Sequence, residues 1–509
     1  MSYSIYLALA AATAGPGHPH DPAGQAPPDL DDALGPALQG LRELVERFAA
    51  APLTPLATAR FEKDLQQRTR ELGRLTAQWA YNHLEPADVR ALPAEVRFAG
   101  VRYRRLAKKT PQPLSTLFGL ITLHRLGYRT GPLQGEPVLF PLCRQLGTAH
   151  GATPALYERV AHYQAEAGAT QQQTLRRLRE QHGLSWGVKR LRQVVAWVAQ
   201  ALEEQRPAQQ VEQVLAWLGQ AQASRGPHKP VLSAGRDGTT LGLRIQGGTL
   251  REVATAATLS VYDRRGRRLG TVYLAYAPQA GQHAMSAGLT RLLREVLKGF
   301  RGPRPRLSYV SDAGDNETAY YRRVLRWLRH PVTGERLRWQ WVVDYYHASL
   351  RLSALGEALF GAGPRSQAWA RKMRRLLLQP GGVGRVLHSA AALRGRLRPR
   401  GRRGQDFARA YRYLQQRRRH LRYAQYRRLG VPIGSGVTEA ACKTVYGQRL
   451  KLSGMRWQGP GAQVILNLRV ALLSGVWQQA FERALRALPE VQTRAPAQKD
   501  QADSRKRAS

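Results

Sequence analysis

Three acidic residues stand where phosphodiester chemistry would use them, in a chain that has few acids. Across 509 residues Lys and Arg total 79 and Asp and Glu total 35, a formal net charge of +44. Asp237 lies in a strand-like run and precedes Gly238. Asp312 ends another such run, in YVSDAGD. Glu439 opens a helix-like segment after Gly434-Ser435-Gly436, with Thr438 beside it. Three carboxylates brought together can hold two divalent ions about 3.5–4 Å apart, one acting on the attacking oxygen and one on the leaving oxygen. Two Mg²⁺ (or Mn²⁺) ions suit an all-oxygen ligand set. Taken singly, each acid also has an ordinary role: Asp237 in a turn, Asp312 as a helix cap, Glu439 as a first-turn acid favoured by the helix dipole.

Two neighbouring groups extend the chemistry. Asp344 and His347 form a D-x-x-H arrangement in VVDYYHA. There Asp344 can orient or charge the imidazole, and His347 can contact phosphate or shuttle a proton. A helix-capping or core histidine is the alternative. In GQRLKLSGMRWQG, Arg449, Lys451 and Arg456 surround Trp457. Basic groups beside an aromatic suit gripping DNA, with the ring stacked on an unpaired base. A single tryptophan is equally at home in a core.

The elements that must position these residues are legible in outline. Residues 231–245 read as a strand, 256–277 as a hairpin and 285–300 as an amphipathic helix. Residues 306–312 are a strand, 315–328 a helix, 337–346 a strand and 347–360 a helix. Three strands, helix, strand, helix, strand, helix is the order of a ribonuclease-H-like α/β fold, in which the first and fourth strands are neighbours. The catalytic core is therefore expected over 228–360 and 431–485. A basic helical insertion over 361–430 holds 20 Lys or Arg and one acid, Asp406. That insertion reads as a phosphate-contacting surface or, less specifically, as a solvated face.

Ahead of the core, residues 1–36 read as a disordered N-terminus and 37–220 as a mainly α DNA-binding region, with 93–150 unassigned. Within it, 169–205 reads as a helix-turn-helix with Ser185 as N-cap and Lys189, Arg190 and Arg192 on the second helix. Plain helix packing fits the same pattern. The tail over 490–509 reads as disordered. MSYSIYLALAAATAG has no basic residue before its apolar part, which argues against a signal peptide. Cys143 and Cys442 are the only cysteines, which excludes a disulfide framework and a Cys-rich zinc module. A reducing cytoplasm is the expected compartment.

The net charge calls for a polyanion, because self-repulsion destabilises a compact state. DNA, RNA and an anionic membrane surface are the candidates. No membrane partner is expected, since no apolar run reaches about 18 residues.

DGTT at 237–240, SDAGDNE at 311–317, DYYHA at 344–348 and IGSGVTEAACKTVYGQRLKLSGMRW at 433–457 resemble bacterial insertion-sequence DDE transposases of the Kra group, in the Mutator-like superfamily. The resemblance runs over roughly residues 100–480 and is strong from 230 onward. It implies Asp237, Asp312 and Glu439 as the metal-binding triad, with Asp344 and His347 as the superfamily's D-x-x-H pair. It also implies cleavage at mobile-element ends followed by attack of the freed 3′-hydroxyl on target DNA. A dimer or larger assembly on paired ends, in the bacterial cytoplasm with the nucleoid, is the corresponding expectation. One departure stands out: GYRTGPLQGEPVLFPL (127–142) lacks the cysteine pair many relatives carry. Asp315 is a weaker rival to Asp312, which closes its strand directly. The other readings are a catalytically inactive DNA-binding derivative and a ribonuclease-H-like nuclease that cuts without joining.

Overall fold

The computed structural model describes residues 29–131, 137–246 and 248–493. They fall into two compact units: 29–164, 170–198 and 484–493 belong to one, and 165–169 with 199–483 to the other. Residues 1–28 and 494–509, including the signal-like opening and most of the tail, lie outside the described residues.

The first unit begins earlier in regular structure than its composition implies. Helix α1 spans Leu30–Ala50, despite Pro36, and α2 spans Pro55–Asn82. Asp31 and Asp32 suit the dipole of the first turn, and Phe48 stacks on Phe61 at 4.1 Å, tying α1 to α2. The unassigned stretch 93–150 holds most of a sheet. Strands β1 (Glu95–Phe98), β2 (Val101–Thr116) and β3 (Gly119–Arg129) are antiparallel. Ile121 and Leu123 of β3 alternate inward, the two-residue period of a strand. The region over 37–220 is therefore mixed α and β. Short helix α3 (Pro141–Gln145) and α4 (Pro154–Ala165) follow.

Helix α5 (Gln171–His182) is closed by a Thr170–Gln173 capping box and ends at Gly183 in the left-handed conformation. Helix α6 runs over 36 residues, Val188–Ala223. It starts three residues beyond Ser185, so Ser185 is not its N-cap. Trp186 is buried in between and donates its indole N–H to Ser115 Oγ at 3.2 Å, which holds this stretch extended.

The second unit is built on a five-stranded sheet. Strands β4 (Val231–Ile245), β5 (Gly248–Tyr262) and β6 (Arg268–Tyr276) form an antiparallel meander. Helix α7 (His283–Gly299) crosses over and buries Met285, Leu289, Leu292, Leu293 and Val296 along one face. Strand β7 (Arg306–Ser311) then pairs parallel to β4, and β8 (Trp339–Val343) parallel to β7, giving the order β6-β5-β4-β7-β8. Between them α8 covers Asp315–Arg323 and stops there, five residues short of the helix expected to 328. Helix α9 is Tyr345–Phe360, starting two residues earlier than its sequence pattern indicates because Asp344 caps it.

The basic segment folds as four helices: α10 (Pro364–Leu377), α11 (Gly382–Leu397), α12 (Gly401–Arg417) and α13 (Tyr423–Arg428). Their apolar faces, including Met373, Val386, Phe407 and Leu414, join the same core as the sheet. The chain returns through α14 (Gly436–Ala441), a π-helical turn over Cys442–Gly447 and the single turn α15 (Gln448–Leu450). Helices α16 (Gly459–Leu473) and α17 (Trp477–Arg486) follow. Part of the tail is ordered: Gln492–Thr493 forms β9 against β1. Cys143 and Cys442 are free. Among the described residues no single helix is long and apolar enough to cross a membrane.

His420 lies between Trp341 and Tyr321, with ring centroids 4.3 and 6.0 Å away. Burial pushes its pKa from 6.5 down to about 4, and Arg322, Arg419 and Arg422 add to the shift. A pKa depressed on folding contributes stability that is complete above the unfolded value and lost as pH falls through the folded one. Calorimetric melting should thus show wild type losing stability between pH 6.5 and about 4 more steeply than His420→Gln. Parallel pH profiles for the two proteins would contradict this role.

Candidate metal centre at the ends of the parallel strands

Parallel pairing lines up three aspartates. Gly235 of β4 stands opposite Val310 of β7, and Ser311 of β7 opposite Val343 of β8. Two residues past Gly235 is Asp237 and two past Val310 is Asp312. Asp344 directly follows Val343, as Asp312 directly follows Ser311. All three thus reach the same end of the sheet. Asp237 Oδ1 accepts from the Gly238 amide at 2.8 Å, and Asp312 Oδ1 from the Gly314 amide at 2.9 Å. The loop carrying Asp312 is fastened to the basic helices: Tyr413 donates its hydroxyl to the Asp312 carbonyl at 2.7 Å, and Arg417 donates to the Ala313 carbonyl at 2.9 Å. Asp315 is exposed in the first turn of α8.

Asp344 is fully buried and acts as a clamp. Its Oδ1 accepts from the His347 main-chain amide at 2.8 Å, and its Oδ2 accepts from the Ser435 amide. It therefore orients the backbone of His347, where the sequence pointed to the imidazole. The imidazole Nε2 lies 3.4 Å from Glu439 Oε1, and Ser435 Oγ donates to the same oxygen at 2.7 Å. Among the described residues, Asp344, His347 and Glu439 form a group whose ligand atoms all lie within 4.8 Å of one another. Asp237, Asp312 and Glu439 are not drawn that tightly together. Ligands shared between two ions about 3.5–4 Å apart need not be.

Helix α14 brings Glu439 to the sheet through an unusually close approach. Thr438 is buried, and its hydroxyl hydrogen-bonds Thr258 Oγ1 of β5 at 2.8 Å. The contact needs glycine at 235: a Cβ there would lie 2.0 Å from Thr438 Oγ1 and 2.8 Å from Thr258 Oγ1.

Burial raises the Asp237 carboxyl above its ordinary range, and the charges of Asp312 and Glu439 push it the same way, against the Gly238 hydrogen bond. Asp312 and Glu439 therefore lie close enough to Asp237 to act on its charge. Convergent carboxylate oxygens are the donor set that a hard divalent cation fits, and such a cation would relieve their repulsion. The imidazole beside Glu439 adds a nitrogen donor that Mn²⁺ tolerates better than Mg²⁺.

The basic residues divide into exposed and interior groups. Lys451 and Arg456 are exposed, and Lys451 Nζ donates to Thr239 Oγ1 at 3.0 Å, two residues from Asp237. With Arg244 and Arg251 they line a groove of about 410 Å³ along β4 and β5. Arg244 and Arg251 carry no mark of this role in the sequence, because only the β4–β5 pairing brings them there. Arg449 is 1% exposed, and burial pushes its pKa down to about 10; it packs over Trp457 and is no phosphate contact. Trp457 is half-buried and its carbonyl accepts from the Arg244 amide at 2.7 Å, so it anchors the groove wall. In the other unit Lys189 and Arg192 are exposed. Arg190 instead donates to the carbonyls of His150 and Gly151 and to Ser115 Oγ, a structural anchor. Within the basic helices Arg418, Arg419, Arg422 and Arg428 line a cleft of about 730 Å³. Two buried charged residues beside the centre, Arg236 and Glu317, went unnoticed in the sequence, since nothing in SDAGDNE distinguishes an inward from an outward acid.

Gly235→Ala should destabilise the protein by about 1–3 kcal/mol through overpacking, and Gly235→Ala with Thr438→Ala should recover part of the loss. Urea unfolding measures both; a Gly235→Ala protein as stable as wild type would contradict the close approach. No family model matches the chain and no curated protein does, so the reading of this centre rests on its own geometry.

Proposed function

We propose that this chain is a DDE transposase of the insertion-sequence Kra type, which cuts DNA at the ends of a mobile element and joins those ends to target DNA. The observation that carries the reading is that, in a chain of net charge +44, Asp237, Asp312 and Glu439 come to one end of one sheet, where the charges of Asp312 and Glu439 act on the buried Asp237 carboxyl. The strand order β6-β5-β4-β7-β8, antiparallel then parallel, supports a ribonuclease-H-like core interrupted by a helical insertion.

In this reading Asp237, Asp312 and Glu439 hold two Mg²⁺ or Mn²⁺ ions. When bound, such ions supply Lewis-acid stabilisation of the attacking and leaving oxygens of the phosphodiester. His347, 3.4 Å from Glu439, is positioned to hold or pass a proton beside that carboxylate. Arg244, Arg251, Lys451 and Arg456 grip phosphates along the groove next to Asp237. The basic helices hold flanking duplex. Helices α5 and α6 serve as a helix-turn-helix, with Lys189 and Arg192 toward DNA. The protein acts as a dimer or larger assembly on paired ends, in the bacterial cytoplasm with the nucleoid.

The test is a cleavage and joining assay on duplex DNA carrying the sequences that flank the gene. With Mn²⁺ or Mg²⁺, wild type should nick at specific 3′ ends and form joined products. Asp237→Asn, Asp312→Asn and Glu439→Gln should each lower product by at least about 10³-fold, the scale of a lost electrostatic contribution to such a step, with DNA affinity kept within a few-fold. Cleavage by Asp237→Asn at the wild-type rate would refute the assignment. Cutting without joining would make the protein a nuclease, and specific binding without cutting an inactive derivative.

A further inference from the structure

Arg236 precedes Asp237 in β4 and is 1% exposed. Its Nη1 donates to Ser286 Oγ at 2.9 Å and its Nη2 to Gln282 Oε1 at 2.5 Å, which fixes the guanidinium. Its Nε is buried with no hydrogen-bond partner. The nearest carboxylate oxygen, Glu317 Oε1, lies 4.0 Å away, beyond hydrogen-bond range. Glu317 is itself 7% exposed, in the first turn of α8. Among the described residues its carboxylate takes a hydrogen bond from its own main-chain amide and from no other residue.

Glu317 reaches toward Asp312. Gly314 stands between them: a Cβ there would lie 2.6 Å from Glu317 Oε2 and 3.3 and 3.5 Å from the two Asp312 carboxylate oxygens. Glycine leaves open the space into which both carboxylates point. A buried carboxylate is stable when paired and hydrogen-bonded, and Arg236, already held by Ser286 and Gln282, meets this one only at the 4.0 Å limit of an ion pair, without a hydrogen bond. The charge that would complete the arrangement is a cation on the Asp312 side.

We propose that Glu317 is a fourth carboxylate of the metal centre, contributing to divalent-ion binding beside Asp312, with Arg236 as the positioning residue behind it. The proposal rests on the reading of Asp237, Asp312 and Glu439 as metal ligands. A purely structural Arg236–Glu317 pair would instead affect folding stability and leave ion affinity alone.

Mn²⁺ titration of the full chain, with free Mn²⁺ followed by electron paramagnetic resonance, separates these roles. Glu317→Gln is expected to weaken Mn²⁺ binding about tenfold or more without lowering the melting temperature. Glu317→Asp keeps the charge on a shorter arm and should fall between the two; it carries the test if the Gln variant does not fold. Wild-type affinity in the Glu317 variants, with affinity lost in Asp237→Asn, would overturn the proposal and leave the centre standing. No Mn²⁺ binding by wild type, or equal binding by Asp237→Asn, would overturn the underlying reading as well.

Discussion

Parallel pairing of β4 with β7 and of β7 with β8 is the constraint on which the centre depends. Parallel strands end side by side, so an acid placed at the same height in each arrives at one edge without any long-range search by flexible loops. Asp237, Asp312 and Asp344 occupy those heights. Two of them face the shared charge, and the third, Asp344, is turned inward to clamp α9 and the Ser435 turn. That clamp matters because the turn delivers α14, and α14 delivers Glu439 from a part of the chain about a hundred residues away in sequence. The glycine at 235 sets how near that helix can come.

Charge explains the division of labour between the two sides of the centre. Converging carboxylates repel one another, and burial raises the cost for Asp237. The surrounding chain offers cations abundantly, yet the nearby arginines are held elsewhere: Arg236 by Ser286 and Gln282, Arg417 by the Ala313 carbonyl. Among the described residues no arginine closes directly on Asp237, Asp312 or Glu439, while Arg244, Arg251, Lys451 and Arg456 remain exposed where a polyanion can meet them. The arrangement places carboxylate charge and exposed cationic side chains at the same end of the sheet.

Much of this was legible in residue type and order. β4 was delimited to the residue, and the alternation of strands and helices through 360 survives. However, β5 begins at Gly248, eight residues before the hairpin expected from 256, and the helix from 315 ends five residues short of 328. Position along the sequence could not reveal burial. Arg190 and Arg449 look like phosphate ligands beside Lys189 and Lys451, but their guanidinium groups serve the interior. Glu317 looks like one more first-turn acid, yet the helix turns it inward. The β1–β3 sheet was hidden because β2 carries basic residues and prolines on an open ribbon, so its pattern lacks an apolar period.

In the proposed centre Asp237, Asp312 and Glu439 together hold a pair of divalent ions. Anomalous diffraction from crystals of the full chain grown with Mn²⁺ tests it directly. Two manganese peaks about 3.5–4 Å apart, flanked by these three carboxylates, are expected. A single peak seated on Asp344, His347 and Glu439, or no peak at this end of the sheet, would contradict it.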